Sequence, residues 1–180
     1  MRHLPTILMI IHWLGGGWTF TATRKNNTTD ELNVVGTNGS FDKEAGECKI
    51  DLTTITDSDG KNYKAVSFSG VPADGAELTE FIAPECKQIS SFEGKSNLRK
   101  VELNPLVSYF PKNAFKDCAA LEEFSPRNLK VESISANCFS GCSSLVGEFI
   151  LEECTSLDGN AFLGCKKITS VKIPKVTSIG

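Results

Sequence analysis

Acidic side chains are the residues of this chain that come closest to a catalytic pattern. Glu122 and Glu123 are adjacent, and Glu148, Glu152 and Glu153 follow further along the sequence. Two carboxyl groups that flank a cleft can hydrolyse a glycosidic bond, with one of them acting as the acid. Ser-His-Asp and Cys-His catalysis and most zinc sites also require histidine, and both histidines of this chain lie close to its N-terminus. A glycan-acting hydrolase is therefore the enzymatic alternative to weigh.

The first 22 residues have the layout of a secretory signal peptide. Arg2 precedes an apolar run from Leu4 to Leu14, and small or helix-breaking residues follow it. The run is shorter than the roughly 20 apolar residues that span a bilayer, but it suits the hydrophobic region of a signal peptide. We expect cleavage after Gly17 or Ala22, with a buried N-terminal helix or an uncleaved anchor as alternatives. Cleavage would remove both histidines, and it predicts a secreted or cell-surface protein with no remaining membrane span.

Composition limits the classes of partner. With 180 residues, of which 40% are hydrophobic, the chain can build one domain with its own core. Its 19 basic and 22 acidic side chains give a net charge of -3 and no basic footprint of the kind that phosphate backbones require. We therefore expect no nucleic-acid partner.

Residues 23–71 form a polar, turn-rich lead-in. Within it, "CKIDLTTI" and "KNYKAVSFSG" flank "TDSDG", so two alternating segments surround an Asp-Gly turn signal. This pattern predicts an N-terminal β-hairpin that caps the domain. Asn26, Asn27 and Asn38 each begin an Asn-x-Ser/Thr triplet, which is a glycosylation acceptor if the source is a eukaryote.

One phrase recurs in the remaining segment, 72–180. It is "NAFKDCAAL" from Asn113, "NCFSGCSSL" from Asn137 and "NAFLGCKKI" from Asn160. Self-similarity at a period of about 20 to 50 residues predicts a solenoid. Each phrase leads into a stretch with apolar residues at relative positions one, four, six and nine, of which the chain has five copies: "LTEFIAPEC", "LRKVELNPL", "LEEFSPRNL", "VGEFILEEC" and "ITSVKIPKV".

Each copy predicts one short strand, because positions four and six alternate with polar neighbours. The strands should stack in parallel about 4.8 Å apart, since no single copy can bury its apolar side alone. The recurring phrase is then the return path of each coil. Its aromatic residue would fill the interior opposite the strand, and the rings of successive coils would form a ladder: Phe92, Phe115, Phe139 and Phe162.

The segment "NAFLGCKKITSVKIPKVTSIG" resembles the leucine-rich repeat of BspA-like surface proteins, in which Ala-Phe, Cys, the strand apolars and Ser-Ile-Gly recur in that order. The resemblance covers about Leu78 to Gly180, and "DGKNYKAVSFSG" is similar to the lead-in strand of such proteins. It implies an α/β-type solenoid, exported or displayed on the surface, that serves adhesion or protein interaction without catalytic machinery or cofactors. The family pattern would continue with Ala-Phe after "VTSIG", so we expect a solenoid truncated in mid-repeat.

Seven cysteines in an exported chain suggest disulfides, but their positions follow the repeat. Cys48 fits no repeat position and is the candidate for an external or intermolecular bond. We interpret the other six as small core side chains, with a Cys118–Cys142 disulfide as the alternative. The sequence has no Cys-x-x-Cys pair, and thiols one coil apart do not converge on a metal, so no metal site is predicted. The six are Cys86, Cys118, Cys138, Cys142, Cys154 and Cys165.

Positions two, three and five of each strand should face solvent on one side of the solenoid, where they would form the contact surface for a ligand. Its charge is basic at Arg99 and Lys100, acidic in the middle and basic again at Lys172, with Ile82 and Ile150 as exposed apolar residues. Such a surface can complement a protein partner. The candidate ligand-binding residues are Glu80, Arg99, Lys100, Glu102, Glu122, Glu123, Glu148, Ile150 and Lys172.

These observations predict a non-enzymatic, exported leucine-rich-repeat protein that binds extracellular or host-surface proteins or glycans. Two alternatives stay open. One is an architectural fragment of a longer repeat protein without its own ligand, and the other is the glycan-acting hydrolase based on the clustered acids.

Overall fold

The computed structural model describes residues 7–13, 16–24, 30–36, 48–56, 60–71 and 78–180, and these residues contain strands and turns but no helix. The strands are β1 (Ile7–Trp13), β2 (Gly16–Arg24), β3 (Glu31–Gly36), β4 (Cys48–Asp51), β5 (Ile55–Thr56), β6 (Asn62–Ser69), β7 (Leu78–Ala83), β8 (Gln88–Ile89), β9 (Lys100–Leu103), β10 (Glu123–Ser125), β11 (Ser133–Ile134), β12 (Gly147–Ile150), β13 (Ser156–Leu157), β14 (Ile168–Lys172) and β15 (Ser178–Ile179).

Parallel strands line one side of the solenoid, as the repeat predicts. The order β10–β9–β7–β4 forms one sheet, and β12 pairs with β14 in a second. Side chains alternate along each strand, so that Val101 and Leu103 of β9 are buried while Lys100 and Glu102 reach the surface. We call the outward positions of β4, β7, β9, β10, β12 and β14 the strand face.

Shorter strands line the next side of each coil. β11, β13 and β15 form a parallel sheet, and β8 pairs in parallel with β6. β6 also pairs in parallel with β3, and the sheet is extended beyond β3 by β2 and then β1, which are antiparallel to their neighbours. The return phrases are built from turns, where an α/β repeat would have a helix. The described part of the coil therefore contains strands and turns, which makes it richer in β-structure than the α/β label for the fold implies.

The predicted capping hairpin exists only in part. Ile55 and Thr56 pair antiparallel with Tyr63 and Asn62, but β4 pairs in parallel with β7 and not with β6. The reason is burial, because Ile50 of β4 packs into the same core as the repeats. β4 therefore adds a strand to the strand face ahead of the first repeat, and Asp57 to Asp59 of the turn lie outside the described residues.

The predicted signal peptide overlaps β1 and β2, which pair with each other antiparallel in the full chain. Cleavage and export stay predictions. The three candidate glycosylation sites, Asn26, Asn27 and Asn38, lie outside the described residues.

The Phe ladder is present as predicted. Ring centroids are 5.6 Å apart between Phe92 and Phe115, 5.4 Å between Phe115 and Phe139, and 5.3 Å between Phe139 and Phe162, and each pair is stacked with interplanar angles of 12°, 14° and 7°. Phe124, on the strand side, meets the rings of Phe115 and Phe139 edge-on. The result is a continuous aromatic core through the repeats.

The recurring phrase is fixed by backbone geometry as well as by its ring. Asn113, Asn137 and Asn160, two residues before the Phe, all have φ near 60°, and glycine or Asp117 occupies a second left-handed position two residues after it. Asparagine and glycine are the residues that adopt this conformation at least cost. Between these turns the amide of Phe115 donates to the carbonyl of Cys138 in the next coil, and the amide of Phe139 donates to that of Ala161.

The third copy departs from the predicted register. Five residues separate Phe124 from Leu129, whereas two separate Phe149 from Leu151, so three extra residues enter the chain after β10. Leu129 donates its amide to the carbonyl of Ile150 in the way that Leu151 donates to Lys172, which places Leu129 and not Pro126 at position six. The strand side is consequently split between β10 and β12, and the Asn128–Ile150 bridge is the β-pairing that spans this break in the described residues.

The second copy is also shifted, by one residue. The repeat pattern predicts Leu106 at the buried position nine, but Leu106 is 53% exposed, and Val107 is fully buried instead. A turn at Pro105 and Leu106, in which the Leu106 amide donates to Asn104 Oδ1, causes the shift.

Two glycines at equivalent phrase positions test how tightly the coils stack. Gly94 has a φ of 74°, and a Cβ added there would meet open space, whereas a Cβ at Gly141, with a φ of 79°, would lie 2.5 Å from Oδ1 and 3.2 Å from Cα of Asp117. We expect Gly94→Ala to lower the free energy of unfolding by about 1–2 kcal/mol through backbone strain alone. Gly141→Ala should cost about 1–3 kcal/mol more through overpacking. Urea denaturation of both variants measures the difference, and equal losses would contradict the coil-to-coil contact.

Candidate functional site

The predicted ligand-binding residues occupy the strand face in two groups. Register places Glu80, Lys100 and Glu123 in one row across β7, β9 and β10, and Glu102 stands one outward position further along β9. Glu148, Ile150 and Lys172 form the second group on β12 and β14. Arg99 and Glu122 lie just before their strands and are exposed.

Charges of opposite sign face each other from coil to coil. Lys49 Nζ lies 3.0 Å from a carboxylate oxygen of Glu80, Lys100 Nζ lies 3.7 Å from Glu123, and Lys172 Nζ lies 2.9 Å from Glu148. The predicted change in the sign of charge along the solenoid therefore takes the form of ion pairs between neighbouring coils. Exposed pairs of this kind contribute little to stability, so their positions are free to serve recognition.

The Glu148 carboxylate is held in its ionised form. Ser170 Oγ donates to it at 2.6 Å and Lys172 Nζ donates at 2.9 Å. These hydrogen bonds, with the Ser170 bond first, lower the pKa of Glu148 below its usual value. A general acid in a glycosidase needs the opposite, a raised pKa.

Sequence reasoning missed Arg127, which lies in the three-residue insertion. Its guanidinium carbon sits 4.9 Å from the centre of the Phe149 ring, and Nη2 donates to the carbonyl of Glu122 at 3.3 Å. Burial lowers the pKa of Arg127, and its Nη1 is buried without a hydrogen-bond partner among the described residues. Arg127 therefore fills the break between the two groups, and only the irregular spacing of the third copy signalled it.

One apolar residue of the predicted face is not exposed. Ile82 is only 7% exposed, between Asp51 of β4 and Glu102 of β9, because β4 adds a neighbour that the sequence prediction did not include. Ile150 is half-buried. An open cleft of about 490 Å³ adjoins this end of the face and is lined by Ile150, Glu152, Lys172, Ile173 and Pro174.

The repeat-phased cysteines are free thiols, and all but Cys165 are buried. Cys118, Cys142 and Cys165 donate their S–H groups to the carbonyls of Phe92, Phe115 and Phe139, at 3.1, 3.1 and 3.0 Å. Burial raises the pKa of Cys118 to about 12 and that of Cys165 to about 11. These thiols therefore tie each coil to the one before it. The side chain of Cys48 lies outside the described residues.

Neither a metal cluster nor a membrane helix is found in the described parts of the chain. No group of three or more His, Cys, Asp or Glu side chains there is arranged to hold a metal ion. No helix long and apolar enough to cross a bilayer occurs there either.

Comparison with known proteins identifies the repeat. The family model of the BspA-type leucine-rich repeat region matches residues 74–180 in six copies, one more than the five that the apolar pattern predicts. The chain therefore belongs to the BspA-type leucine-rich-repeat family. None of the curated proteins matches it.

Two solved structures are similar to the chain. A leucine-rich-repeat protein from Bacteroides ovatus ATCC 8483 shares 15% identity at a TM-score of 0.40, over 89% of this chain and 54% of that protein. The chain thus spans about half of that protein's length. The T. pallidum leucine-rich-repeat protein TpLRR shares 17% identity at a TM-score of 0.47, over 89% of this chain and 83% of TpLRR.

The lowered pKa of Glu148 predicts how its removal depends on pH. A carboxylate whose pKa is lower in the folded state stabilises the fold above its unfolded pKa, and this contribution disappears as the pH falls through the folded value. We therefore expect Glu148→Gln to destabilise the protein slightly at neutral pH, and we expect its difference from wild type to disappear as the pH falls below the folded pKa of Glu148. Urea denaturation across that range measures the effect, and a destabilisation that stays constant with pH would contradict it.

Proposed function

We propose that this chain is an exported or surface-displayed interaction module that binds extracellular proteins through its strand face, in an adhesion-type role without catalysis. The family's usual surface location supports export, as does the signal-peptide layout of the first 22 residues.

One observation carries the proposal: the outward positions of consecutive strands hold charged side chains while the inward positions hold the core. Glu123 of β10, for example, lies beside Phe124, which is 2% exposed and packs against the Phe ladder. Outward residues can therefore differ from one relative to another without disturbing the core. Function on such a scaffold resides in the residues that it displays.

The charge pattern favours a protein partner. Oppositely charged residues alternate from coil to coil at the strand spacing of about 4.8 Å, so the face offers both signs within the width of a few residues. A protein surface of mixed charge can match such a pattern, which sets orientation and association rate more than affinity. A uniformly charged polymer cannot match this pattern, because it offers only one sign of charge.

Charge reversal at two matched carboxylates tests the strand face. Glu148 pairs with Lys172 on that face, and Glu93 pairs with Lys116 at the same 2.9 Å distance on the return side. Both carboxylates have a lowered pKa and a second hydrogen bond, from Ser170 and Asn113 respectively. Glu93→Lys therefore reproduces the change in charge and the loss of a pair, but at a different surface.

We expect the full chain to bind at least one immobilised extracellular-matrix glycoprotein. Glu148→Lys should weaken that binding by about tenfold or more, which corresponds to roughly 1.4 kcal/mol. Glu93→Lys should leave it unchanged. Surface plasmon resonance at low and physiological salt is the measurement, and equal losses in both variants would show that net charge, and not the strand face, determines the binding.

A further inference from the structure

A second outward surface differs from the strand face in its chemistry. Asn33 of β3 lies opposite Ser67 of β6, and Ser67 lies opposite Gln88 of β8. Ser67 Oγ is hydrogen-bonded to Asn33 Oδ1 at 2.7 Å. The outward residues that follow along these strands and in the next coil are also polar. We define the serine face as the row and these residues together: Asn33, Ser67, Ser69, Gln88, Ser90 and Ser108.

The serine face contains two adjoining clefts. The first has a volume of about 240 Å³ and the second about 250 Å³, and both are lined by Ser67 and Gln88. Asn33 and Ser108 add neutral polar groups to the lining of the first, and Ser69 and Ser90 add hydroxyl groups to that of the second. Each cleft has room for several water-sized groups, as one sugar ring requires.

Apolar side chains border the same surface. Two of the six large hydrophobic residues that are exposed in the described part of the chain lie here: Val35 and Leu106, which are 42% and 53% exposed. Leu106 lines the first cleft, and Val35 stands opposite Ser69 in the sheet. Leu106 is exposed because the second copy is shifted by one residue, so the irregular coil creates this border.

The combination selects a class of ligand. Hydroxyl and amide side chains both donate and accept hydrogen bonds, as sugar hydroxyls do, and the exposed Leu106 side chain can pack against the apolar C–H face of a sugar ring. Among the described residues that line the two clefts, the charged ones are Glu31 and Lys87, and both line the first cleft. A polyanion would require clustered basic residues, and a stable protein interface involves about 20–30 residues on each side. Twelve residues line the two clefts together.

The geometry points to the serine face as a binding site for a neutral oligosaccharide, with one sugar ring in each cleft and Ser67 and Gln88 in contact with both rings. This site is separate from the strand face, and it stands or falls independently of the proposed protein partner.

Titration of the full chain with three neutral tetrasaccharides, cellotetraose, mannotetraose and chitotetraose, tests the site, with a heparin tetrasaccharide as the polyanion. We expect saturable binding of at least one neutral tetrasaccharide by isothermal calorimetry. Gln88→Ala should weaken it about tenfold, because the bonds to two rings are lost. Leu106→Ala should weaken it measurably, whereas Leu163→Ala, which changes a 61% exposed leucine elsewhere, should not.

Three results would overturn the proposal: no binding of any neutral tetrasaccharide at millimolar concentration, binding that Gln88→Ala and Leu106→Ala leave intact, or a preference for heparin. Glu148→Lys separates the two faces. It should weaken capture of the matrix glycoprotein about tenfold and leave saccharide binding unchanged, so failure of one site is distinguishable from failure of the other. Because Gln88 and Leu106 are exposed, we expect both variants to keep the thermal midpoint of wild type.

Discussion

Stacking of phenyl rings between coils is the interaction on which the rest of this structure depends. A ring such as Phe139 is fully buried only because Phe115 covers one side and Phe162 the other, at 5.4 and 5.3 Å. No coil can bury its ring alone, so the coils must stack in register. The left-handed asparagines, the amide ladder of the return phrase and the thiol-to-carbonyl bonds all hold the ring at the same height in each coil.

Because the core is satisfied internally, packing does not constrain the outward positions, and the two outward surfaces of the coil differ in their chemistry. On the strand face, each coil contributes one charged side chain to an ion pair with a neighbouring coil, and such a pattern suits a partner of mixed charge. The serine face carries neutral donors and acceptors around two small clefts. Irregularities of the second and third copies shape both surfaces, since one exposes Leu106 and the other inserts Arg127.

The sequence predicts the regular features of the fold and misses the irregular ones. Phe92, Phe115, Phe139 and Phe162 recur at a spacing that only a ladder explains, and the parallel strands follow from the alternation beside them. The repeat pattern assigns Pro126 to the buried position six and Leu129 to position nine. The insertion of three residues moves Leu129 to position six, but the sequence does not show this, because an apolar residue fits either position. β4 alternates like a hairpin strand or a repeat strand, and only its tertiary neighbour β7 decides between them. The sequence does not reveal the serine face, because Asn33 and Gln88 are brought to either side of Ser67 by strand pairing and not by their spacing.

Native-state hydrogen exchange is the measurement that tests the central claim, namely that the Phe ladder joins the repeats into one cooperative unit across the break between β10 and β12. The amides of Phe92, Phe115 and Phe139 each donate to the following coil, and Phe115 and Phe139 lie on opposite sides of the break. We predict that all three exchange with the same opening free energy, equal to that of global unfolding. Separate values for the amides before and after the break would show two independent units, and would contradict the account.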